Sequence, residues 1–197
     1  MRRSTRRELV SVLAASTVAL VSRASLADHY RVPSGSMEPT VEVGDQVCVN
    51  KAAYGLRVPF SETYLLRTSD PAHGDVVVLN SPVDGEVLLK RVVALPGEMV
   101  EVRDGRVVID GRLAPVEHEG GALVEELHGV RHELGTQFGG GPDFGPIRVP
   151  AGGYLVLGDN RGNSADGRAF GWVSRDSILG KAVSVCLRDH GLVWRQL

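Results

Sequence analysis

Cysteine is nearly absent from this 197-residue chain: it has only Cys48 and Cys186 and no C-x-x-C spacing, which argues against a structural zinc site. Lysine is scarce too, with Lys51, Lys90 and Lys181 standing beside nineteen arginines, so surface charge is carried by arginine and each lysine stands out. Aromatics make up only 5% of the chain, and neither sign of charge is in surplus at a formal net charge of −2. That balance gives no ground for a nucleic-acid partner. No internal repeat and no helix-turn-helix pattern is present. The six histidines (His29, His73, His118, His128, His132, His190) lie in polar, loop-like contexts, none in the setting of a Ser–His–Asp triad. His128 and His132 have i,i+4 spacing, but Gly129 between them weakens a helix, so no metal is expected there.

What is present favours strands. The chain is 43% hydrophobic and holds 24 glycines, a combination that suits short strands joined by tight turns. The expected fold is mainly β, an antiparallel coiled sheet or partial barrel with one N-terminal apolar helix. Residues 41–50 carry alternating valines, 75–79 are a short apolar run, and 87–95 form the most apolar stretch after the N-terminus. Asp104-Gly105 between 99–103 and 106–110 is a two-residue hairpin signal, and 182–187 with 192–194 reads as a closing hairpin. Residues 112–147, with Gly120-Gly121 and Gly139-Gly140-Gly141-Pro142, read as an insertion or small lobe of loose structure.

The N-terminus has its own character. Residues 1–7 carry four arginines, and 9–22 then run without a charge until Arg23. A basic flank before an apolar run targets a chain to the membrane, with the positive end kept in the cytoplasm. Fourteen helical residues span about 21 Å, short of the roughly 30 Å hydrocarbon core, so spanning requires Arg23 to snorkel. Ser25-Leu26-Ala27 also has the small residues of a cleavage site, and the segment reads evenly as anchor or as cleavable signal.

Three later segments carry chemistry. Residues 31–40 place Ser34 and Ser36 around Gly35 with prolines on both sides, a stiff turn that exposes a hydroxyl beside backbone N–H groups. In Val87-Leu88-Leu89-Lys90-Arg91-Val92-Val93-Ala94-Leu95 the pattern is that of a strand buried on both faces, with Lys90 and Arg91 pointing to opposite sides. A lysine among apolar side chains loses hydration, which favours its neutral amine and makes it a usable base; taken alone, charge on an edge strand explains it as well. The third segment, residues 158–168, is dense in Asp, Asn, Arg and Ser. It lacks the ligand pattern of an EF-hand, since Arg161 takes the third position, and reads instead as a hydrogen-bonded scaffold.

With these segments in order the sequence resembles the type I signal peptidases, serine–lysine endopeptidases also called leader peptidases. The likeness is carried by P-S-G-S-M-x-P-T, G-D-V-V-V, K-R-V-V-x-L-P-G-E and G-D-N-R-x-N-S-x-D-x-R, running from Val32 to Arg168. The resemblance implies Ser36 as nucleophile, Lys90 as general base, Ser34 as an oxyanion-hole hydroxyl and Ser164 as the residue orienting the lysine. It implies that Asp159, Asn160, Arg161, Asp166 and Arg168 form a supporting loop, and that Val32, Met37, Val41 and Leu89 line shallow pockets for an Ala-x-Ala-like substrate. Gly162 departs from the family's usual acidic residue and Gly167 from its common serine. The resemblance also tips residues 8–27 towards a retained anchor, with 1–7 a cytoplasmic tail and 28–197 a catalytic domain on the extracytoplasmic side of the plasma membrane. Exported preproteins and membrane lipid are the implied partners, and no metal or cofactor is implied. Two alternatives stay open: a dedicated serine–lysine processing peptidase, as in pilin or conjugation maturation, and an inactive membrane-tethered β domain that binds peptides. An extracytoplasmic location permits a Cys48–Cys186 bond, but two separate buried thiols are expected.

Overall fold

The computed structural model describes residues 8, 10–12, 26–58, 64–188 and 191–197. Nearly all of the expected anchor, residues 8–27, lies outside the described residues, as does the basic tail. Among the described residues no helix is long and apolar enough to cross a membrane.

Strand β1 (Ala27–Arg31) leads into a single 3₁₀ turn at Gly35–Met37, followed by β2 (Gln46–Asn50), the short pair β3 (Gly55–Arg57) and β4 (Tyr64–Arg67), then β5 (Val76–Asn80) and β6 (Val87–Ala94). The middle of the chain holds β7 (Met99–Arg103), β8 (Arg106–Ile109), β9 (Arg112–Leu113), β10 (Val116–Glu119), β11 (Ala122–Leu127), β12 (Val130–Leu134) and β13 (Phe144–Arg148). It ends with β14 (Gly153–Leu157), the one-turn helix α1 (Gly167–Phe170), β15 (Val173–Ser174), β16 (Ile178–Arg188) and β17 (Gly191–Gln196). The main sheet runs β1-β2-β16-β5-β6-β14-β15, with β17 also on β16; a second sheet runs β13-β7-β8-β9 and a third β10-β11-β12. The named pairings are antiparallel, so the mainly β, antiparallel reading holds.

Burial follows from the patterns. Val76–Leu79 is apolar at every position because β5 sits mid-sheet between β16 and β6 and is covered on both faces. The valines of β2 alternate and so face one core, with Val41, Val76, Val78, Ala182 and Val185. Strand β6 is less uniform than expected: its first residue, Val87, is 48% exposed, and full burial begins at Lys90. The Asp104-Gly105 hairpin forms as read, with Arg103 opposite Arg106 and both turn residues at positive φ.

Two expectations need correction. Residues 116–134 are not loose but a three-stranded sheet with hairpin turns: Gly120-Gly121 joins β10 to β11 and His128-Gly129 joins β11 to β12, with positive φ at all four turn residues. Leu127 and Leu134 then bury under this small sheet. The two cysteines are not separate thiols either. Antiparallel pairing sets Ser184 opposite Cys48, which brings Cys186 of β16 next to Cys48 of β2, and the two are joined in a disulfide with Cα atoms 5.9 Å apart.

Candidate active site

The turn at Gly35–Met37 is fixed from three directions. Below it, Met37 is fully buried beside Val32 and Val41. Before it, Val32 exchanges backbone hydrogen bonds with Asp45 and Gly44, both at 2.8 Å. From the side, Asn160 donates its side-chain amide to the Gly35 carbonyl at 2.9 Å and its backbone N–H to the Ser36 carbonyl at 3.1 Å. With its backbone held this way, Ser36 presents Oγ to the middle of β6, where Lys90 Nζ donates to it at 2.8 Å. Lys90 also donates to the Leu89 carbonyl at 3.0 Å. Ser34, on the exposed side, reaches Ser36 Oγ at 3.4 Å.

Lys90 is 3% exposed and has no carboxylate of the described residues in contact, so burial lowers its pKa from 10.5 to about 8, against the opposing pull of Asp166 and Asp159. Its neighbour Arg91 is 2% exposed and fully paired: Nε and Nη2 form a two-pronged contact with Asp159 at 2.9 and 2.7 Å, and Nη1 donates to the Gly74 carbonyl at 2.7 Å. Thr40 adds its hydroxyl to Asp159 at 2.5 Å. Burial alone would raise the Asp159 carboxyl, but Arg91, His132 and Thr40 outweigh it and hold it at about 2.

The supporting loop is a charge lattice. Asp166 caps α1 and takes both Nε and Nη2 of Arg168 at 2.9 Å while accepting the Gly158 N–H at 3.0 Å. Arg168 continues to the carbonyls of Gly140 and Arg161, both at 2.6 Å. Arg161 is buried against Glu125 and the Gly105 carbonyl. Burial pushes the Glu125 carboxyl up, but Arg161 and His132 together bring it below the usual range. The two departures from the family pattern have a packing reason. A side chain at residue 162 would run into the Phe138 carbonyl, and one at 167 would meet Leu155 Cδ1 at 2.6 Å.

Ser36, Lys90, Ser34 and the 158–168 loop are thus brought together. Ser164 is brought close, with its Oγ buried and without a hydrogen-bond partner among the described residues, while the hydrogen bonds of Lys90 go to Ser36 and the Leu89 carbonyl. It sits against Gly158, where any added Cβ would collide with both Ser164 Oγ and the Ser36 carbonyl. Val32, Met37 and Val41 are core residues packed against Val47, Val49, Val76 and Val78, and of the four expected pocket residues only Leu89 is partly exposed. Sequence reasoning missed the pairing of Arg91 with Asp159 and the reach of Glu125 and His132 into the loop. His132 Nε2 lies 3.3 Å from Glu125 and 3.9 Å from Asp159. A charge count held the signal: Arg91, Arg161 and Arg168 outnumber Asp159 and Asp166 by one, so a third acid had to come from elsewhere.

Known proteins resemble this chain along most of its length. The family model for signal peptidase, peptidase S26, matches residues 5–187. A signal peptidase I of Pseudomonas fluorescens is 38% identical over 192 residues, covering 85% of this chain and 67% of that protein. One from Pseudomonas aeruginosa is 37% identical over 193 residues, with the same 85% and 67% coverage. The crystal structure of a signal peptidase I from Enterococcus faecalis covers 57% of this chain and 97% of its own, at 30% identity and a TM-score of 0.41.

Proposed function

The chain belongs to the signal peptidase family, peptidase S26, and on that premise we propose that it removes N-terminal signal peptides from exported preproteins, with Ser36 as nucleophile and Lys90 as general base. The observation that carries this reading is the 2.8 Å contact between Lys90 Nζ and Ser36 Oγ, made by an amine whose burial lowers its pKa to about 8. In the neutral form Lys90 takes the Ser36 proton as Oγ attacks the scissile carbonyl. The Ser36 N–H and the Ser34 hydroxyl receive the developing oxyanion. The Lys90 ammonium returns the proton to the leaving amine, and the neutral base then activates the water that hydrolyses the acyl-enzyme.

Small side chains ahead of the cut suit this reading, since of the four expected pocket residues Leu89 alone is partly exposed and Val32, Met37 and Val41 lie in the core. The reading extends to a tethered enzyme: residues 8–27 anchor it, 1–7 stay cytoplasmic, and the sheets of residues 28–197 coil into a partial barrel on the extracytoplasmic face, in contact with lipid. The test is incubation of detergent-solubilised protein with a preprotein. Wild type should release mature protein cut after a small residue and Ser36→Ala should not; equal cleavage by the two would end the assignment. N-terminal sequencing of the purified enzyme tests the anchor, since a start at Asp28 would mean that the segment had been cleaved.

A further inference from the structure

Outside the dyad, one cluster of side chains takes no part in the chemistry above. His73 lies in the turn before β5, Glu98 in the turn between β6 and β7, and His128 at the β11–β12 hairpin tip, so three distant segments converge. His73 Nε2 is 2.9 Å from Glu98 Oε2, which also accepts the Leu95 N–H at 2.7 Å. The His128 ring stacks on His73 with centroids 3.9 Å apart and 14° between planes. One ligand-capable atom from each of the three lies within 4.8 Å of the others. The hairpin is seated here by packing as well: an added Cβ on Gly74 would come within 2.6 Å of Val130 Cβ.

We propose that His73, Glu98 and His128 form a binding site for a divalent ion of the zinc class, clipping the hairpin of residues 112–147 to the catalytic sheet. Two imidazole nitrogens and a carboxylate oxygen are a donor set that zinc accepts, with water in the fourth place. Bonds of about 2.0–2.1 Å to a tetrahedral centre put ligand atoms about 3.3 Å apart, so the cluster closes by about 1.5 Å on binding. The ring stack itself cannot chelate, because its lone pairs lie in nearly parallel planes. Binding therefore turns the exposed His128 ring out of the stack about its Cβ–Cγ bond, a torsion with a broad, shallow profile. A cleft of about 450 Å³ lined by Ile109, Leu113, Leu127 and His128 leaves room for that turn. The ion would stiffen the turn holding Gly74, whose carbonyl fixes Arg91 next to the general base.

The test uses the full chain in detergent, stripped with a chelator and titrated with Zn²⁺ alone and, separately, Co²⁺ alone. Wild type should take up one equivalent, show the visible absorption of four-coordinate Co²⁺, and unfold at a higher temperature with metal than without. His128→Asn, chosen because asparagine tolerates the positive φ at that position, should weaken uptake at least tenfold and abolish the thermal shift, as should Glu98→Gln. His118→Ala should titrate as wild type. Absence of stoichiometric uptake by wild type, or uptake undiminished in His128→Asn, overturns the site. Residue 128 lies on an exposed turn, so this variant keeps the test open even where His73→Ala fails to fold.

Discussion

Lys90 and Arg91 are consecutive residues of one strand, both cationic in water and both buried, yet the fold treats them in opposite ways. Arg91 meets Asp159 through two hydrogen bonds and a carbonyl through a third, so its charge is kept and neutralised in place. Lys90 meets only hydroxyl and carbonyl oxygens, so burial weakens its hold on a proton. A buried cation with a counter-ion becomes a fastener; one without becomes a base. The residue types suit these fates, because guanidinium does not deprotonate in proteins whereas an ammonium readily shifts.

The largest effect should come from breaking the chemical half of the pair. Ser36→Ala and Lys90→Ala are each expected to lower kcat/KM for a signal-peptide substrate by about 10³-fold or more, on the scale of losing a nucleophile or a general base. Lys51→Ala and Lys181→Ala should stay near wild type, since those lysines pair with Asp28 and Asp75. Turnover by folded Lys90→Ala near the wild-type rate would erase the distinction drawn above. In the wild-type pH profile, kcat/KM should fall about tenfold per pH unit below about 8, where Lys90 holds its proton, and level off above it.

Breaking the structural half should cost stability first. Arg91→Leu leaves Asp159 charged and 1% exposed with only Thr40 and His132 nearby. Loss of one partner of a buried pair is expected to cost about 3–5 kcal/mol. Urea unfolding measures it, and a loss under 1 kcal/mol would mean that Arg91 is no fastener.

Between these lies a prediction of opposite sign. Lys90 is lowered from 10.5 to about 8 on folding, so between those values the unfolded chain holds a proton that the folded one has given up. Stability therefore rises with pH across that window, and below about 8 the full penalty is present. At pH 7 it amounts to about 3 kcal/mol at 1.36 kcal/mol per unit. Lys90→Met, which keeps the volume and drops the charge, should be inactive yet more stable at pH 7 by up to about 3 kcal/mol, with the gain shrinking towards pH 10. Denaturation at both pH values decides it, and a variant less stable at pH 7 would show that Lys90 is not strained by burial.

The sequence made the local half of this site legible and hid the long-range half. Periodicity exposed β5 and β6, the Asp104-Gly105 turn and the apolar setting of Lys90, because each depends on a few adjacent residues. The Gly120-Gly121 turn looked like looseness because a glycine pair is the same signal in a tight hairpin and in a floppy loop. The reach of Glu125 and His132 into the loop was hidden because the polar pattern of 122–134 does not say which side meets Arg161. The disulfide depended on a strand register that no spacing in the sequence reveals.

The smallest expected effect concerns Ser164. Its hydroxyl is buried and unpaired while Lys90 is hydrogen-bonded to Ser36 and the Leu89 carbonyl. An unmade hydrogen bond of this kind costs the resting enzyme about 1–3 kcal/mol, so it calls for a compensating use. The reaction supplies one. When Ser36 gives up its proton, as proposed above, Lys90 becomes an ammonium with three donors, and the unpaired Ser164 hydroxyl, which lies with the Ser36 carbonyl against Gly158, is the acceptor we propose for one of them. Ser164→Ala should therefore lower kcat by about tenfold with KM nearly unchanged, because the lost bond forms only as charge develops. The same variant should be as stable as wild type or more stable by about 1 kcal/mol, since it removes an unsatisfied buried group. A purely structural serine gives another pattern, a loss of stability with turnover intact. Steady-state kinetics and urea unfolding on one preparation separate the two. Wild-type kcat in Ser164→Ala would leave Lys90 working with Ser36 and the Leu89 carbonyl alone.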